Sequence, residues 1–288
     1  MKLSPVWMAI LVAVFYALNA PFSKLLLGSV DASAMASLLY LGAGIGMLLL
    51  LPLHRGKEKR QSSLTARDVP YGIAMVVLDI AAPLLLMHGL RYTTSANAAL
   101  LNNFEIVATS LIALVIFHEK IDRRLWCAIG VVTLASMLLS LEDSQSLNLS
   151  GGYLLVLGAC VCWGFENNCT RMMSHADPLY IVVIKGLGSG AGAGFVMLLS
   201  GEAYPAWPLI LLALLLGFVS YGLSVYFYVY AQRDLGAART SAYYAIAPFV
   251  GVALSFLMFR TLPGVLFFIA LALMIWGSWL LSVEPRQK

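Results

Sequence analysis

Charged residues are scarce in this chain of 288 residues. Asp, Glu, Lys and Arg make up only 11% of it, whereas 61% of the residues are hydrophobic. A soluble domain contains about 25% charged and about 45–50% apolar residues, so this composition excludes a soluble globular fold. A bilayer accommodates this much apolar surface, and we therefore predict an all-α integral membrane protein.

Motifs of enzymes and metal proteins are also missing. Only four cysteines occur, all in apolar segments, and their spacing fits neither a zinc site nor a thioredoxin-type redox site. The sequence contains no HExxH motif and no serine–histidine–aspartate set, so we expect neither a metal, nor a cofactor, nor an enzyme. The basic residues are scattered over short loops, which argues against a nucleic-acid partner.

Ten segments are long and apolar enough to cross a bilayer as helices. In the first half these spans are residues 5–27, 34–53, 70–88, 94–117 and 124–141. In the second half they are residues 152–172, 179–199, 207–230, 237–259 and 263–282. The polar stretch Glu142–Ser150 separates the halves, and we divide the chain into two five-span units, 1–145 and 146–288.

Basic residues predict how the chain is oriented in the membrane. With a cytoplasmic N-terminus, fourteen Lys and Arg residues fall on the cytoplasmic side, and only Lys24, Arg91 and Arg260 fall outside. Cytoplasmic loops of membrane proteins carry the excess of basic residues. We therefore expect both termini to lie in the cytoplasm. We expect this multi-pass protein in the inner membrane of a bacterial-type cell.

The two halves resemble each other. An offset of 147 positions aligns Tyr16 with Trp163 and Lys24 with Arg171, and an offset of 142 aligns Arg91 with Arg233 and Phe117 with Phe259. Because each half has an odd number of spans, the second half is expected to lie inverted relative to the first. Inverted repeats are typical of secondary transporters, which alternate access to one central site.

Several segments occur in an order that resembles a known family. They are Tyr16–Lys24, Trp163–Asn168, Leu90–Ala96, Phe117–Glu119 and Ala247–Phe249. Together they resemble the opening helices of both halves, the turn before the fourth helix, its glutamate ending and the ninth-helix proline of EamA-type members of the drug/metabolite transporter superfamily. The resemblance covers essentially the whole chain. It implies a ten-helix transporter that exports amino acids, metabolites or toxic organic compounds, without naming the substrate.

The chain departs from that family pattern in two places. Glu105 and Ile106 stand in the fourth span where the ninth has Ala247 and Pro248, so the first-half proline is missing. The ninth span also ends without the glutamate, at Phe259-Arg260-Thr261.

Ionisable side chains inside spanning helices are costly, so each one is a candidate for function. Glu105 lies near the middle of the fourth span beside Asn102 and Asn103. A buried carboxylate with amide neighbours can hold a substrate ammonium or bind and release a proton. The alternative is a structural carboxylate paired to another helix.

Three further charged residues lie within the spans. Asp79 is either a second proton or substrate carboxylate or a link to a neighbouring helix. Lys185 either pairs with Glu105 or Asp79 or extends to the cytoplasmic surface. Glu166 either lines the substrate pathway or forms a salt bridge to Arg171 or Lys185.

Matched interruptions in the two halves indicate the substrate pathway. Asn19 and the nearby Pro21 align with the polar patch that begins at Glu166, and we expect Asn19 to belong to the site. Tyr243 and Tyr244 align with Leu101 and Asn102, and we expect one of these tyrosines to line the pocket. Stacked aromatic rings suit a flat or cationic substrate.

These observations favour a secondary transporter, an exporter of a small organic metabolite or an amino-acid- or amine-like compound. The expected partners are the substrate, the lipid bilayer and protons, and the protein is expected as a monomer or a homodimer. Two other classes remain open, an intramembrane enzyme acting on lipid and a membrane sensor or assembly partner. The enzyme would need a nucleophile and a base at one depth, and the sensor would not need interruptions in both halves.

Overall fold

A computed structural model gives the fold of the chain. It describes residues 5–54, 64–116, 118, 123–142, 147–173, 175–235, 244, 246–260 and 263–282. These residues form helices joined by short turns, so the predicted all-α fold is confirmed.

The helices follow the ten predicted spans, with some spans divided. In the first half, they are Pro5–Ala17 with Asn19–Leu26, Ala32–His54, Val69–Tyr92, Ser95–Leu101 with Phe104–Val115, and Arg123–Glu142. In the second half, they are Leu147–Met172, Pro178–Leu199, Trp207–Gly217 with a π-helical turn Phe218–Leu223 and Ser224–Leu235, Ala247–Phe259, and Val265–Ser282. The third span ends four residues later than predicted and the sixth begins five residues earlier. In the ninth span, the described helix begins at Ala247, and residues 237–243 of the prediction lie outside the described part of the chain.

Length and hydropathy identify membrane-crossing helices directly. In the described part of the chain six helical segments meet both criteria: Trp7–Leu26, Ala32–Pro52, Val69–Tyr92, Ser95–Val115, Leu179–Leu199 and Trp207–Tyr228. Three shorter apolar segments, Trp126–Leu138, Ala247–Phe259 and Val265–Leu280, belong to the fifth, ninth and tenth spans. Large apolar side chains such as Leu49, Leu199 and Leu257 are more than two-thirds exposed, as a lipid-facing surface requires.

Repeat-related spans pack against each other in opposite directions. In the second and seventh spans, Ser37 donates a 2.8 Å hydrogen bond to the Gly190 carbonyl, while Gly44 lies against Gly186 further along. A Cβ atom on Gly44 would lie 2.6 Å from the Leu187 nitrogen, so only glycine permits this approach. The fifth and tenth spans also pack together and run antiparallel. Antiparallel partners are what two inverted halves require.

A shared helix ending also relates the two halves. His118, after the fourth span, has φ of 54°, and Arg260, after the ninth, has φ of 51°. The offset of 142 positions aligns these two residues. Left-handed residues other than glycine are uncommon, so their occurrence at matched positions reflects the same local geometry in both halves.

Several spans are interrupted near the middle of the protein. Pro21 has no N–H to give to the Ala17 carbonyl, and the first span breaks at Leu18. The fourth span breaks at Asn102 and Asn103, where the backbone switches to i→i−3 hydrogen bonds. The eighth span contains the π-helical turn, and the described helix of the ninth begins one residue before Pro248. These irregularities bring polar side chains and free backbone groups to one region.

Candidate functional site

A small cavity lies where the interrupted spans meet. Its lining comes from the first, fourth and ninth spans and consists of Tyr16, Ala17, Asn19, Ala20, Ala99, Asn102, Ala247, Pro248 and Gly251. The space inside holds about one water molecule. The cavity is therefore too small for a metabolite in this conformation, although it is built from the helix breaks that mark a transporter site.

Glu105 lies beside this cavity in the first turn of the helix that begins at Phe104. The positive end of the helix dipole stabilises a carboxylate at this position. The side-chain amide of Asn167 donates a 2.7 Å hydrogen bond to Glu105 Oε1. Glu105 also acts electrostatically on the hydroxyl groups of Tyr16 and Tyr244. Among the described residues no Lys or Arg forms an ion pair with Glu105.

Asp79, Glu166 and Lys185 form a second polar region, which we call the charged triad. Lys185 Nζ lies 3.1 Å from Asp79 Oδ2 and 2.9 Å from Glu166 Oε2. The two carboxylate side chains are 0% and 1% exposed, and the lysine side chain is 22% exposed. The triad joins the third, sixth and seventh spans, because each span contributes one member.

Aromatic side chains connect the triad to the cavity. Tyr40 donates a 2.9 Å hydrogen bond to Asp79 Oδ1, and its ring centroid lies 5.1 Å from that of Tyr221. Asn19, in the cavity lining, donates a 2.8 Å hydrogen bond to the Tyr221 hydroxyl. A continuous path of side chains therefore runs from the cavity to the buried charges.

The structure distributes the predicted site residues over these regions. Asn19 and Asn102 line the cavity, and Tyr244 packs its ring 5.4 Å from that of Tyr16. Tyr243 lies outside the described residues. Asn103 faces the tenth span instead, because its Oδ1 accepts a 3.4 Å hydrogen bond from Ser278.

Contacts in the structure show which partners two of the charged residues have. Lys185 does not extend to the surface or pair with Glu105, since its ammonium contacts Asp79 and Glu166. Glu166 forms a salt bridge to Lys185, which is one of the two cationic partners that the sequence analysis names for it. The partner that the structure describes for Glu105 is an amide from the sixth span.

Sequence reasoning did not assign Tyr40, Trp163 and Tyr221 to the site. Trp163 donates a 3.2 Å hydrogen bond to the Tyr40 hydroxyl, which places both next to Asp79. Tyr16 lines the cavity, and the sequence analysis did not assign it to the site either. The alignment of Tyr16 with Trp163 was the available signal, because both are large aromatic residues at matched positions of the opening helices.

Chemically, this arrangement suits a solute that carries a positive charge. A carboxylate with no ion pair in the described part of the chain, side-chain amides and aromatic rings lie within a few helix turns of the cavity. Carboxylates bind ammonium groups, and aromatic faces attract cations.

Comparison with known proteins identifies the family. The model of the EamA-like transporter family matches residues 3–141 and again residues 150–283. An uncharacterized transporter of Methanothermobacter thermautotrophicus is 26% identical over 266 residues, which cover 86% of this chain and 77% of that protein. The uncharacterized transporter YyaM of Bacillus subtilis is 24% identical over 262 residues, covering 85% and 82%.

A solved structure shares the fold. This crystal structure of a protein aligns with a TM-score of 0.67 and 16% sequence identity, over 97% of this chain and 96% of that one. The likeness extends across all ten spans rather than to one half. With the family model matching nearly the whole sequence, this multi-pass membrane protein belongs to the EamA-like transporter family of the drug/metabolite transporter superfamily.

Proposed function

We propose that the protein is a secondary active transporter that exports a small organic compound with a positively charged amino group. The observation that carries this proposal is Glu105, a carboxylate on an interrupted helix with an amide partner and no cation beside it in the described part of the chain. An unbalanced charge inside a membrane protein is costly. A solute ammonium would supply the positive charge that the described residues do not place beside Glu105.

Neighbouring side chains fit the rest of such a solute. Tyr16 and Tyr244 lie within electrostatic reach of Glu105, and their rings pack at 5.4 Å. Aromatic faces stabilise a cation by about 0.5–2 kcal/mol, depending on how dry the site is. The amides of Asn19 and Asn102 in the cavity lining offer hydrogen bonds to polar groups. These features support an amino-acid- or amine-like compound.

Alternating access accounts for the small size of the cavity. A cavity with room for about one water molecule must widen to admit a metabolite. Inverted halves provide two equivalent ways to open it, one toward each side of the membrane. We assign the energy for export to a proton gradient across a bacterial-type inner membrane.

Transport is tested with purified protein in liposomes and a panel of labelled amino acids, amines and guanidinium compounds. At least one panel compound should equilibrate across the membrane chemically unchanged, and Glu105→Gln protein should move it poorly. If no panel compound moves in the wild type, the proposal is wrong. A compound that emerges chemically altered would favour the lipid-type enzyme instead.

Export requires a defined orientation, with both termini in the cytoplasm. In a background without the four native cysteines, Ser146→Cys should react with a membrane-impermeant reagent in intact cells, and the control Ser62→Cys should react only after lysis. Both positions lie outside the described residues and are chosen from the sequence alone. The reverse labelling pattern would overturn the orientation.

A further inference from the structure

The charged triad contains more acidic groups than basic groups, and the proposed solute site at Glu105 does not include them. Two carboxylates, Asp79 and Glu166, face one ammonium, Lys185. With all three ionised, the group has a net charge of −1 in a place where the carboxylates are 0% and 1% exposed. An uncompensated buried charge costs several kcal/mol, so one further positive charge is needed for balance.

The side chains that the structure describes around the two carboxylates do not include a second cationic partner. Within the described part of the chain, the other titratable groups that act on the two carboxylates are Tyr40 from the second span, Tyr221 from the eighth, Glu105 from the fourth, and Cys162 and Cys169 from the sixth. Thr170, a neutral residue, donates a hydrogen bond to Glu166. Each of these neighbours is neutral or acidic, so none balances the second carboxylate.

Asp79 is the carboxylate of the triad whose hydrogen bonds are incomplete. Asp79 Oδ1 accepts a hydrogen bond from Tyr40. Asp79 Oδ2 is fully buried and lies 3.1 Å from Lys185 Nζ, yet it receives no hydrogen bond of good geometry from the described residues. Buried polar atoms without a hydrogen bond are rare and call for an explanation. A proton on the Asp79 carboxyl group neutralises it and leaves Glu166 and Lys185 as a balanced ion pair.

We propose that Asp79, Glu166 and Lys185 form the binding site for the driving proton. In the closed conformation the triad holds one proton, on Asp79, and its net charge is zero. When the site opens to water, Asp79 gives that proton to a water molecule and becomes a carboxylate. This inference rests on the proposed transport function, and it separates the proton site from the solute site at Glu105.

Because the two sites lie close together, a proton at the triad and a cationic solute at Glu105 weaken each other's binding. Glu105 and the triad lie within electrostatic reach of each other, since Glu105 interacts with both Glu166 and Lys185. A cationic solute at Glu105 therefore repels a proton on Asp79, and a bound proton weakens the binding of the solute. Mutual exclusion of this kind exchanges one proton for one cationic solute, as export against a gradient requires.

Infrared spectroscopy counts protons on buried carboxyl groups without a solute. The protein is reconstituted in nanodiscs at pH 7, all in the Glu105→Gln background, and the carbonyl stretch of protonated carboxyl groups is measured in H₂O and D₂O. This background should show one buried protonated carboxyl group. Adding Asp79→Asn should remove it, because Glu166 and Lys185 then balance. Adding Lys185→Gln should raise the count to two.

Each spectrum bears directly on the proposal. A background protein without the band, or a band that persists in full after Asp79→Asn, overturns it. If Lys185→Gln protein does not fold, Asp79→Asn still decides, because that variant keeps a balanced ion pair.

A transport assay then links the proton to the cycle. With the panel compound that wild-type protein equilibrates, Asp79→Asn should retain exchange without a pH gradient and lose accumulation driven by one. Equal accumulation in Asp79→Asn and wild type would overturn the proton site while leaving the transport function intact. A wild type that moves no panel compound would refute the transport function, and the infrared count would still report on the triad.

Discussion

Glu166 and Asn167 are neighbours in the sequence, yet they face two different polar regions. Glu166 contacts Lys185 of the seventh span at 2.9 Å, and Asn167 donates to Glu105 of the fourth span at 2.7 Å. On the first side a carboxylate has a fixed cation, and on the second a carboxylate has only an amide within the described residues. The comparison shows how neighbouring residues of the sixth span can contribute to two sites, an ion pair with Lys185 and a hydrogen bond to the Glu105 carboxylate of the fourth span.

The difference between the regions lies in what completes each one. The triad is short of one positive charge but contains a lysine, so a single proton balances it. Glu105 has an amide partner and no cation beside it among the residues described, so the proposed solute ammonium would balance its charge. Both regions meet at the sixth span, which packs extensively on the third and fourth spans. Movement of this span relative to its neighbours therefore changes both sites together.

Removal of the lysine is the strongest test of the fixed pair. Lys185→Met leaves the buried Glu166 carboxylate without its counter-charge, and breaking a buried ion pair costs about 3–5 kcal/mol. We expect a loss of that size in the free energy of unfolding in detergent. A variant that combines Lys185→Met with Asp79→Asn and Glu166→Gln should regain most of it, because no unpaired charge remains.

Lys24 provides a matched control for this lysine. Its ammonium donates to the carbonyls of Leu90 and Thr93. Lys24→Met should therefore cost about 1.5–3 kcal/mol, as for a charged hydrogen-bonded group, which is less than the loss of a buried ion pair. Equal losses in the two lysine variants, or no recovery in the combined variant, would contradict the balanced triad.

Glu105→Gln tests the vacant side. A hydrogen bond to a charged group contributes about 1.5–3 kcal/mol, so we expect solute affinity to fall by about 10- to 100-fold. Stability should change little, because glutamine can still accept the hydrogen bond from Asn167. Equilibrium solute binding and unfolding are both measured on the same preparation.

Glu202→Gln is the control for this change. Glu202 accepts a 3.1 Å hydrogen bond from the backbone of Ser33, away from both polar regions. It should leave solute affinity unaltered. A structural role for Glu105 predicts the opposite pattern, with reduced stability and wild-type affinity per folded molecule.

A smaller change tests the connection between the regions. Tyr221→Phe removes the hydroxyl that accepts from Asn19 but keeps the ring against Tyr40. Loss of one neutral hydrogen bond costs about 0.5–1.5 kcal/mol, so solute affinity should fall by about two- to tenfold. The infrared proton count at Asp79 should stay the same. Tyr204→Phe, whose hydroxyl pairs with Ser37, is the matched control, and an equal effect there would remove the case for a specific connection.

The spans and most of the charged candidates could be read from the sequence, but their partners could not. In a soluble helix, a polar face marks the side that meets water. In lipid, the outward face and the packed face are both apolar, so the direction in which Lys185 points is not encoded by a pattern along its own helix. Its choice of Asp79 and Glu166 over Glu105 depends on how three helices are rotated.

The helix breaks were only partly predictable for a related reason. Pro21 and Pro248 predict interruptions in the first and ninth spans, because proline has no backbone N–H to donate. The break at Asn102 and Asn103 has no proline, and the π-helical turn at Phe218–Leu223 has no sequence signal that we recognise. Tyr221 lies in that turn and contacts Asn19 from it. Its position in the sequence therefore did not reveal its role.

The smallest expected effect contrasts the intramembrane carboxylates with one at a helix end. Asp68, just before the third span, accepts hydrogen bonds from the Thr65 backbone N–H at 2.7 Å and the Thr65 hydroxyl at 2.8 Å. These bonds, with a smaller contribution from His175, hold the pKa of Asp68 below its usual value. A depressed pKa in the folded state stabilises the protein above the unfolded pKa of about 4, and the stabilisation is lost as pH falls through the folded pKa.

Asp68→Asn should therefore lower the melting temperature in detergent slightly at pH 7, and its difference from wild type should shrink toward zero as the pH falls from 5 to 2. Asp31→Asn is the matched control, because Asp31 forms an exposed ion pair with Arg91 at 3.0 Å, and such pairs contribute little. A difference for Asp68→Asn that does not change with pH would mean that the carboxylate acts by shape rather than charge. Unlike the triad, Asp68 has its hydrogen-bond donors in place, so its ionised form needs no additional proton to be stable.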